Sequence, residues 1–384
     1  MAARRTLDPS VQVRILARQP RRWDKRGGSP CRPFFITVRL GVVVLAAGEG
    51  TRMRSALPKV LHSLCGRPLL GHILAAVDML QPAVSAIVLA PDTLDTVRTR
   101  FGDRYCYVVQ AERLGTGHAT LQARLNLRHQ CDDVLVLVGD APLIRSATLQ
   151  RLVALRRECG ALVAFLSFIA EPPTGYGRVV RNAEGNVIAI VEERDATDAQ
   201  RAITEVNSGI LCFDAEWMWP ALDRVQRSPV KGEYYLTDLI ALAIADGGVG
   251  AVQALIATDP TEAFGVNDRV QLAQAERILR ARLLDTLMRS GVTVVDPEAT
   301  YVDVDVVVGQ DTMLLPGTML RGATRVGTGC IIGPHTSLID TIVADGAHVR
   351  YTFAEGVVIP AQAIVGPFAH LRGVQDGADT FYQA

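Results

Sequence analysis

The chain has 384 residues, of which 49% are hydrophobic, 21% charged and 5% aromatic, enough apolar chain for a large core and an expected two domains. That composition excludes disordered and fibrous classes. No apolar run approaches the roughly 20 residues that span a bilayer, the longest, such as residues 239–245, having the length of a core helix. Forty Lys and Arg balance forty Asp and Glu, a neutrality that by itself points to no class of partner. Thirty-seven of those basic residues are arginine, the lysines being Lys25, Lys59 and Lys231. The seven cysteines, Cys31, Cys65, Cys106, Cys131, Cys159, Cys212 and Cys330, lie far apart, with no C-x-x-C pair and no histidine at ligand spacing. They read as core residues of a protein in a reducing cytoplasm, and structural zinc is excluded.

Residues 1–40 carry ten basic residues against Asp8 and Asp24 and show no periodicity, which predicts a disordered basic extension. It lacks the 7–15-residue apolar core of a secretory signal. A transit peptide and an over-long reading frame are both compatible with it, and nucleic-acid binding less so, because no aromatics interleave the charge. Without this segment the body holds thirty basic and thirty-eight acidic residues, so the folded part is acidic.

Order begins at Gly41-Val-Val-Val-Leu-Ala-Ala-Gly48, an apolar run of the buried parallel-strand kind ending in a glycine-rich turn. Residues 68–80 follow as a helix, opened by Pro68 at its first turn, with Leu70, Ile73, Leu74, Val77 and Leu80 on one stripe. Strand-like runs recur at 86–90, 105–109, 134–138 and 161–168. Strands alternating with helices predict an α/β, Rossmann-like domain over 41–270 with a mainly parallel sheet. Residues 271–291 read as a connecting helix, with Leu272, Ala275, Leu279, Leu283 and Leu287 near helical spacing.

After Gly291 the period becomes six: Val302, Val308, Leu314, Leu320, Val326, Ile332 and Leu338. Two positions before each stands a small or β-branched residue, most often threonine: Thr300, Val306, Thr312, Thr318, Thr324, Cys330 and Thr336. A side chain turned to a central axis at every sixth residue predicts a left-handed parallel β-helix of about five coils. The register is expected to resume after a slip at Phe353, Ile359, Val365 and Leu371, giving a β-helix over 292–373. The next slots hold Gly377 and Gln383, so residues 374–384 read as an irregular tail that leaves the solenoid edge open.

The loop Leu45-Ala-Ala-Gly-Glu-Gly-Thr-Arg-Met-Arg-Ser-Ala-Leu-Pro-Lys59 carries the chemistry. Its glycines let backbone amides approach phosphate, and Arg52 and Lys59 follow as cationic donors. It is neither a P-loop nor a dinucleotide fingerprint, since G-x-x-x-x-G-K-[ST] and the third glycine are both absent. Lys59 stands out as a compact ammonium kept in an arginine-dominated chain.

This loop resembles the signature of sugar-1-phosphate nucleotidyltransferases. The segments Gln110-Ala-Glu-Arg-Leu-Gly-Thr-Gly-His118, Gly139-Asp140, Thr174-Gly-Tyr-Gly-Arg178, Glu192-Glu193, Asn207-Ser-Gly209, Gly232-Glu-Tyr-Tyr-Leu-Thr-Asp238 and Gly265-Val-Asn267 narrow it. Together they resemble the bifunctional N-acetylglucosamine-1-phosphate uridyltransferase/glucosamine-1-phosphate acetyltransferase family of bacteria. The resemblance implies that Leu45, Ala46, Ala47 and Gly48 lie along the nucleotide, that Arg52 holds the β- and γ-phosphates and Lys59 touches the reacting phosphates, and that Gln110, Gly115 and Thr116 read uracil. It further implies that Asp140 and Asn267 bind Mg2+, and that Gly177, Glu192, Asn207 and Thr237 hold the N-acetylglucosamine. UTP and N-acetylglucosamine 1-phosphate are then the substrates, with a homotrimer built through the β-helix, a cytoplasmic location, no membrane span and no nucleic-acid partner. Arg372 matches a substrate-binding arginine of the family's acetyltransferase part. Nothing beyond Gly373 resembles the family, so the 384-residue chain is expected to lack that second activity, as a truncated member would.

Each reading has a plainer rival. Asp140 suits a helix N-cap, Glu192 an exposed strand end and Asn207 a turn. His118 reads as a packed or solvent histidine, because a sugar phosphate is already anionic near neutral pH and its attack on UTP needs no base. Transfer of another nucleotide to another sugar phosphate, and an inactive fragment with a β-helix stalk, stay open as alternatives.

Overall fold

The computed structural model describes residues 38–229, 232–373 and 382–383. The expectation for the basic extension concerns residues 1–37, outside the described part. Its boundary moves inward, however, because Leu40 is buried and already paired with Asp133.

The first strand, β1 (Leu40–Leu45), is buried along almost its whole length. Val42 and Val44 pack with one apolar cluster and Val43 with the other, so both faces of the sheet are covered. Helix α1 (Leu69–Asp78) supplies Leu70, Ile73, Leu74 and Val77 to the first cluster, as the stripe predicts. The remaining strands of this sheet are β2 (Val84–Leu89), β3 (Cys106–Val109), β4 (Asp133–Val138), β5 (Val163–Ile169), β6 (Arg178–Arg181), β7 (Val187–Val191), β8 (Glu205–Asp214) and β9 (Val252–Ile256). Their order is β9-β5-β8-β4-β1-β2-β3, with β6 and β7 hanging from β8. β1 is parallel to both neighbours, Gly41 facing Val84 and Val134, while β8 runs antiparallel between β4 and β5.

This topology creates the site. From β1 the chain moves outward to β2 and β3 and then returns to pair β4 on the other side of β1, so the strand order reverses between β1 and β4. In open α/β sheets the crevice beyond the carboxyl ends of the strands at such a reversal is the binding place. Helices α2 (Thr116–Gln122), α3 (Ser146–Cys159) and α4 (Asp238–Gly247) flank the sheet.

Helix α5 (Arg269–Arg289) connects the two architectures, starting two residues earlier than its periodicity suggests because Asp268 caps it, accepting the Gln271 N–H at 2.8 Å. Ala275 and Leu284 are its buried residues, Leu284 replacing the expected Leu283. Arg282 anchors it to the first domain, donating to Leu143 O at 2.9 Å, Asp259 Oδ2 at 2.9 Å and Thr261 Oγ1 at 2.6 Å.

Beyond it, short strands stack in parallel into three sheets, the left-handed β-helix. Tyr301 pairs with Met319, Met319 with Ser337, and Ser337 with Phe353. Val302, Val308, Leu314, Leu320, Val326, Ile332 and Leu338 point inward as predicted. The threonines two positions earlier have a purpose that the pattern alone does not show. Thr318, fully buried, donates to Leu315 O at 2.7 Å and lies 3.1 Å from Ile332 O, and Thr324 donates to Arg321 O at 2.6 Å. These hydroxyls satisfy turn carbonyls inside the coil.

The expected register after the slip is wrong at one slot. The inward residues after Leu338 are Val343, Val349, Ala354, Ile359, Val365 and Leu371, Val365 half-buried but packed against the coil core, whereas Phe353 is half-buried and stands outside that core. Later coils contain five-residue steps, and each shifts the inward position by one. At the far end, Tyr382–Gln383 pairs antiparallel with His370–Leu371, so those two tail residues cover part of the edge expected to be open.

Candidate active site

Two cavities lie side by side at the carboxyl ends of β1 and β4. The first is lined by Leu45, Ala46, Ala47, Gly48, Lys59, Gln110, Gly115, Thr116 and Asp140, together with Arg113 and Glu233. The second is lined by Gly177, Glu192, Asn207 and Thr237, together with Tyr176, Ser208 and Gly209. Leu45, Thr116 and Val138 belong to both and form the wall between them. The residues expected to hold a nucleotide thus line one cavity, and those expected to hold a sugar line its neighbour.

The loop after β1 forms the roof of the first cavity. Gly50 has φ 63°, and a Cβ there would lie 2.6 Å from Lys59 Cβ, so only glycine lets the loop fold down onto Lys59. Gly115, φ 98°, is pressed against Tyr234, where a Cβ would come within 2.6 Å of the carbonyl oxygen. That close approach lets Tyr234 N donate to Leu114 O and Gly117 N donate to Tyr234 O, each at 2.8 Å. These bonds fasten the 232–236 segment to the turn beside the cavity.

Lys59, Asp140, Asn267 and Arg52 come from distant parts of the chain and meet at one edge. Lys59 Nζ donates to Asp140 Oδ2 at 2.5 Å and to Asn267 Oδ1 at 3.2 Å. Arg52 Nη2 donates to the same Asn267 oxygen at 2.9 Å. One carboxylate oxygen and one amide oxygen therefore already converge on a cation. Both are hard oxygen donors, and no cluster of three or more His, Cys, Asp or Glu suited to a metal occurs among the described residues. A divalent cation that keeps most of its sphere for phosphates and water fits this sparse set.

In the second cavity the β8 register shifts between Asn207 and Leu211, opening the strand at Ser208-Gly209-Ile210. Thr237 Oγ1 donates to Glu192 Oε1 at 3.2 Å. Asp238 follows, its carboxyl pushed up to about 6 by burial first and then by the negative charges of Glu192 and Asp195. Burial also raises the Tyr176 hydroxyl, with nearby Asp140 adding to the effect.

Sequence reasoning missed two arginines. Arg113 donates to Ala47 O at 3.0 Å and to Glu49 Oε1 at 3.0 Å, holding the glycine loop beside the first cavity. Arg178, only 2% exposed, donates to Tyr176 O and, at 3.4 Å, to Arg201 O, and lies 3.7 Å from Glu193, which accepts the Gly175 N–H. It thereby grips the loop that carries Gly177. Both stand inside segments that carry the resemblance, yet in a chain with thirty-seven arginines their composition marks neither for a role, whereas the rarity of lysine marked Lys59. Arg372 stands apart on the β-helix, exposed, 3.5 Å from Glu355, and lines neither cavity.

Fold and site together define a nucleotidyltransferase: residues 42–210 match the MobA-like NTP transferase domain. The chain belongs to the family of the bifunctional protein GlmU. It is 41% identical over 342 residues to that protein of Brevibacillus brevis, covering 89% of this chain and 74% of the relative. Identity is 49% over 332 residues to that of Thermobifida fusca (85% and 67%) and 46% over 336 residues to that of Trichlorobacter lovleyi (86% and 72%). No helix among the described residues is long and apolar enough to cross a membrane.

Proposed function

We propose that this chain transfers a uridylyl group from UTP to N-acetylglucosamine 1-phosphate, giving UDP-N-acetylglucosamine, a cell-wall precursor, and pyrophosphate. The observation that carries this reading is the pair of cavities sharing one wall, with Lys59 and Asp140 at the edge of the first. The nucleotide occupies the cavity under the Ala46–Gly48 backbone, its base against Gln110, Gly115 and Thr116. N-acetylglucosamine lies in the second cavity against Gly177, Glu192, Asn207 and Thr237. Its phosphate oxygen attacks the α-phosphorus across the Leu45–Thr116–Val138 wall, and pyrophosphate leaves on the opposite side.

No side chain need act as base, because the attacking phosphate is an anion. The protein's work is in-line positioning and neutralisation of charge on the leaving pyrophosphate. Lys59 and Arg52 supply that charge. Asp140 and Asn267 would hold Mg2+, which when bound withdraws charge from the phosphates. The exposed apolar side chains along the β-helix, among them Val307, Met313, Ile342 and Val358, support assembly into a trimer, and the reaction belongs in the cytoplasm, where UTP is available.

The test is pyrophosphate release from UTP and N-acetylglucosamine 1-phosphate by the wild type and by Asp140→Ala. Release by the wild type that falls at least a hundredfold in the variant is expected. Equal release by both would favour an inactive fragment with a contaminating activity.

A further inference from the structure

The proposed base contact, Gln110, is an amide whose two ends carry opposite hydrogen-bonding character, so what it selects depends on which end faces the cavity. Gln110 is 4% exposed. Its backbone N–H extends the sheet by donating to Leu89 O at 2.8 Å. The side-chain nitrogen lies 3.1 Å from the Gly115 carbonyl oxygen, which only accepts. The same nitrogen lies 3.1 Å from His118 Nδ1. The two amide hydrogens are therefore both used, provided that Nδ1 offers a lone pair. Gln110 Oε1 is then the end left for a ligand.

This arrangement fixes the histidine as well. With Nδ1 accepting, the ring proton sits on Nε2. The Gln122 side chain lies 3.1 Å from Nε2. The same Gln122 nitrogen donates to the His118 carbonyl at 3.2 Å, and because Gln122 is only half-buried, turning its amide gives up that single bond and brings its oxygen to Nε2 to accept the proton. Tyr234 lies beside the ring, centroids 6.4 Å apart. His118 is not itself among the residues that line the cavity and reaches it only through Gln110, and the transfer reaction has no need of it as a base.

We infer that His118 is a specificity-determining positioning residue: it holds the Gln110 amide with its oxygen toward the base, so the cavity accepts a pyrimidine that donates from its ring nitrogen. Uracil carries N3–H. Cytosine presents a bare N3 acceptor in the same place and meets an oxygen. A Gln110 amide released from His118 can turn its NH2 to that acceptor, at the cost of its bond to Gly115. This inference rests on the proposed uridylyl transfer.

The experiment compares kcat/KM for UTP and for CTP, with N-acetylglucosamine 1-phosphate, in the full chain. Variants are His118→Phe and His118→Ala, which remove the acceptor, and His118→Asn, whose Oδ1 replaces Nδ1. Loss of one buried hydrogen bond corresponds to about a tenfold change. The UTP/CTP ratio should therefore fall about tenfold in the Phe and Ala variants and return close to the wild-type value in Asn, with KM for the sugar phosphate unchanged. A ratio unchanged in Phe and Ala, or parallel losses for both nucleotides, overturns the role of His118 and leaves uridylyl transfer standing. A wild type without preference for UTP overturns the functional reading itself, before any variant is made.

Discussion

Lys59→Met should tighten binding of a divalent cation while it slows turnover. The Lys59 ammonium is bonded to both oxygens that would ligate the metal, at 2.5 Å to Asp140 and 3.2 Å to Asn267. The side chains are 11% and 24% exposed for Lys59 and Asp140, so the pair is only partly screened. Direct attraction at that separation is roughly 7 kcal/mol at an effective dielectric of about 20, most of it offset by desolvation. A charge-assisted hydrogen bond of this kind nets about 1.5–3 kcal/mol, and a cation arriving without nucleotide must displace it. Removing the ammonium leaves the Asp140 carboxylate open and abolishes that competition. Affinity for Mn2+, followed by the loss of the free-ion resonance on titration without nucleotide, should rise about ten- to a hundredfold. In the wild type, UTP should produce a similar tightening, because its phosphates draw Lys59 away. Equal Mn2+ affinity in variant and wild type would refute the reasoning, and so would weaker binding.

Two further outcomes follow from buried charge near the second cavity. Arg178→Met leaves two carbonyls without their donor and Glu193 without its nearby charge, so urea melts should show a loss of about 3–5 kcal/mol. KM for the sugar phosphate should rise more than KM for UTP, and an equal rise would remove Arg178 from the sugar side of the site. Asp238→Asn should stabilise the protein at pH 7.5 and not near pH 4. The Asp238 carboxyl is raised to about 6 in the fold from 3.8, so the folded state holds its proton more tightly than the unfolded chain. The stability this provides is full below the unfolded value, is lost as pH rises toward 6, and stays lost above it. The group is half-exposed, so the gain at pH 7.5 is about 1 kcal/mol, a rise of a few degrees in Tm; a gain of the same size at pH 4 would contradict the assignment.

What the sequence displayed was periodicity and rarity. Alternating strand and helix patterns placed β1, α1 and β4 within a residue or two, and the sixfold stride located the β-helix axis as far as Leu338. The stride failed at Phe353 because a coil tolerates five-residue steps, and Ala354 is too small to announce itself as an inward residue. The antiparallel insertion of β8 left no trace either, since a buried strand reads as apolar whichever way it runs. Lys59 was visible because lysine is scarce. Arg113 and Arg178 were not, since their function lies in which carbonyls they reach. Asp140 and Asn267 are far apart in the chain, and resemblance, not spacing, joined them before the fold brought both within 3.2 Å of one ammonium.

Nucleotide profiling tests the central claim most directly: pyrophosphate release by the purified chain with N-acetylglucosamine 1-phosphate, Mg2+ and each of UTP, CTP, ATP and GTP. The two-cavity account predicts UTP as the preferred donor, with UDP-N-acetylglucosamine formed in equal amount to pyrophosphate. Preference for another nucleotide, or pyrophosphate released without the sugar nucleotide, would contradict it.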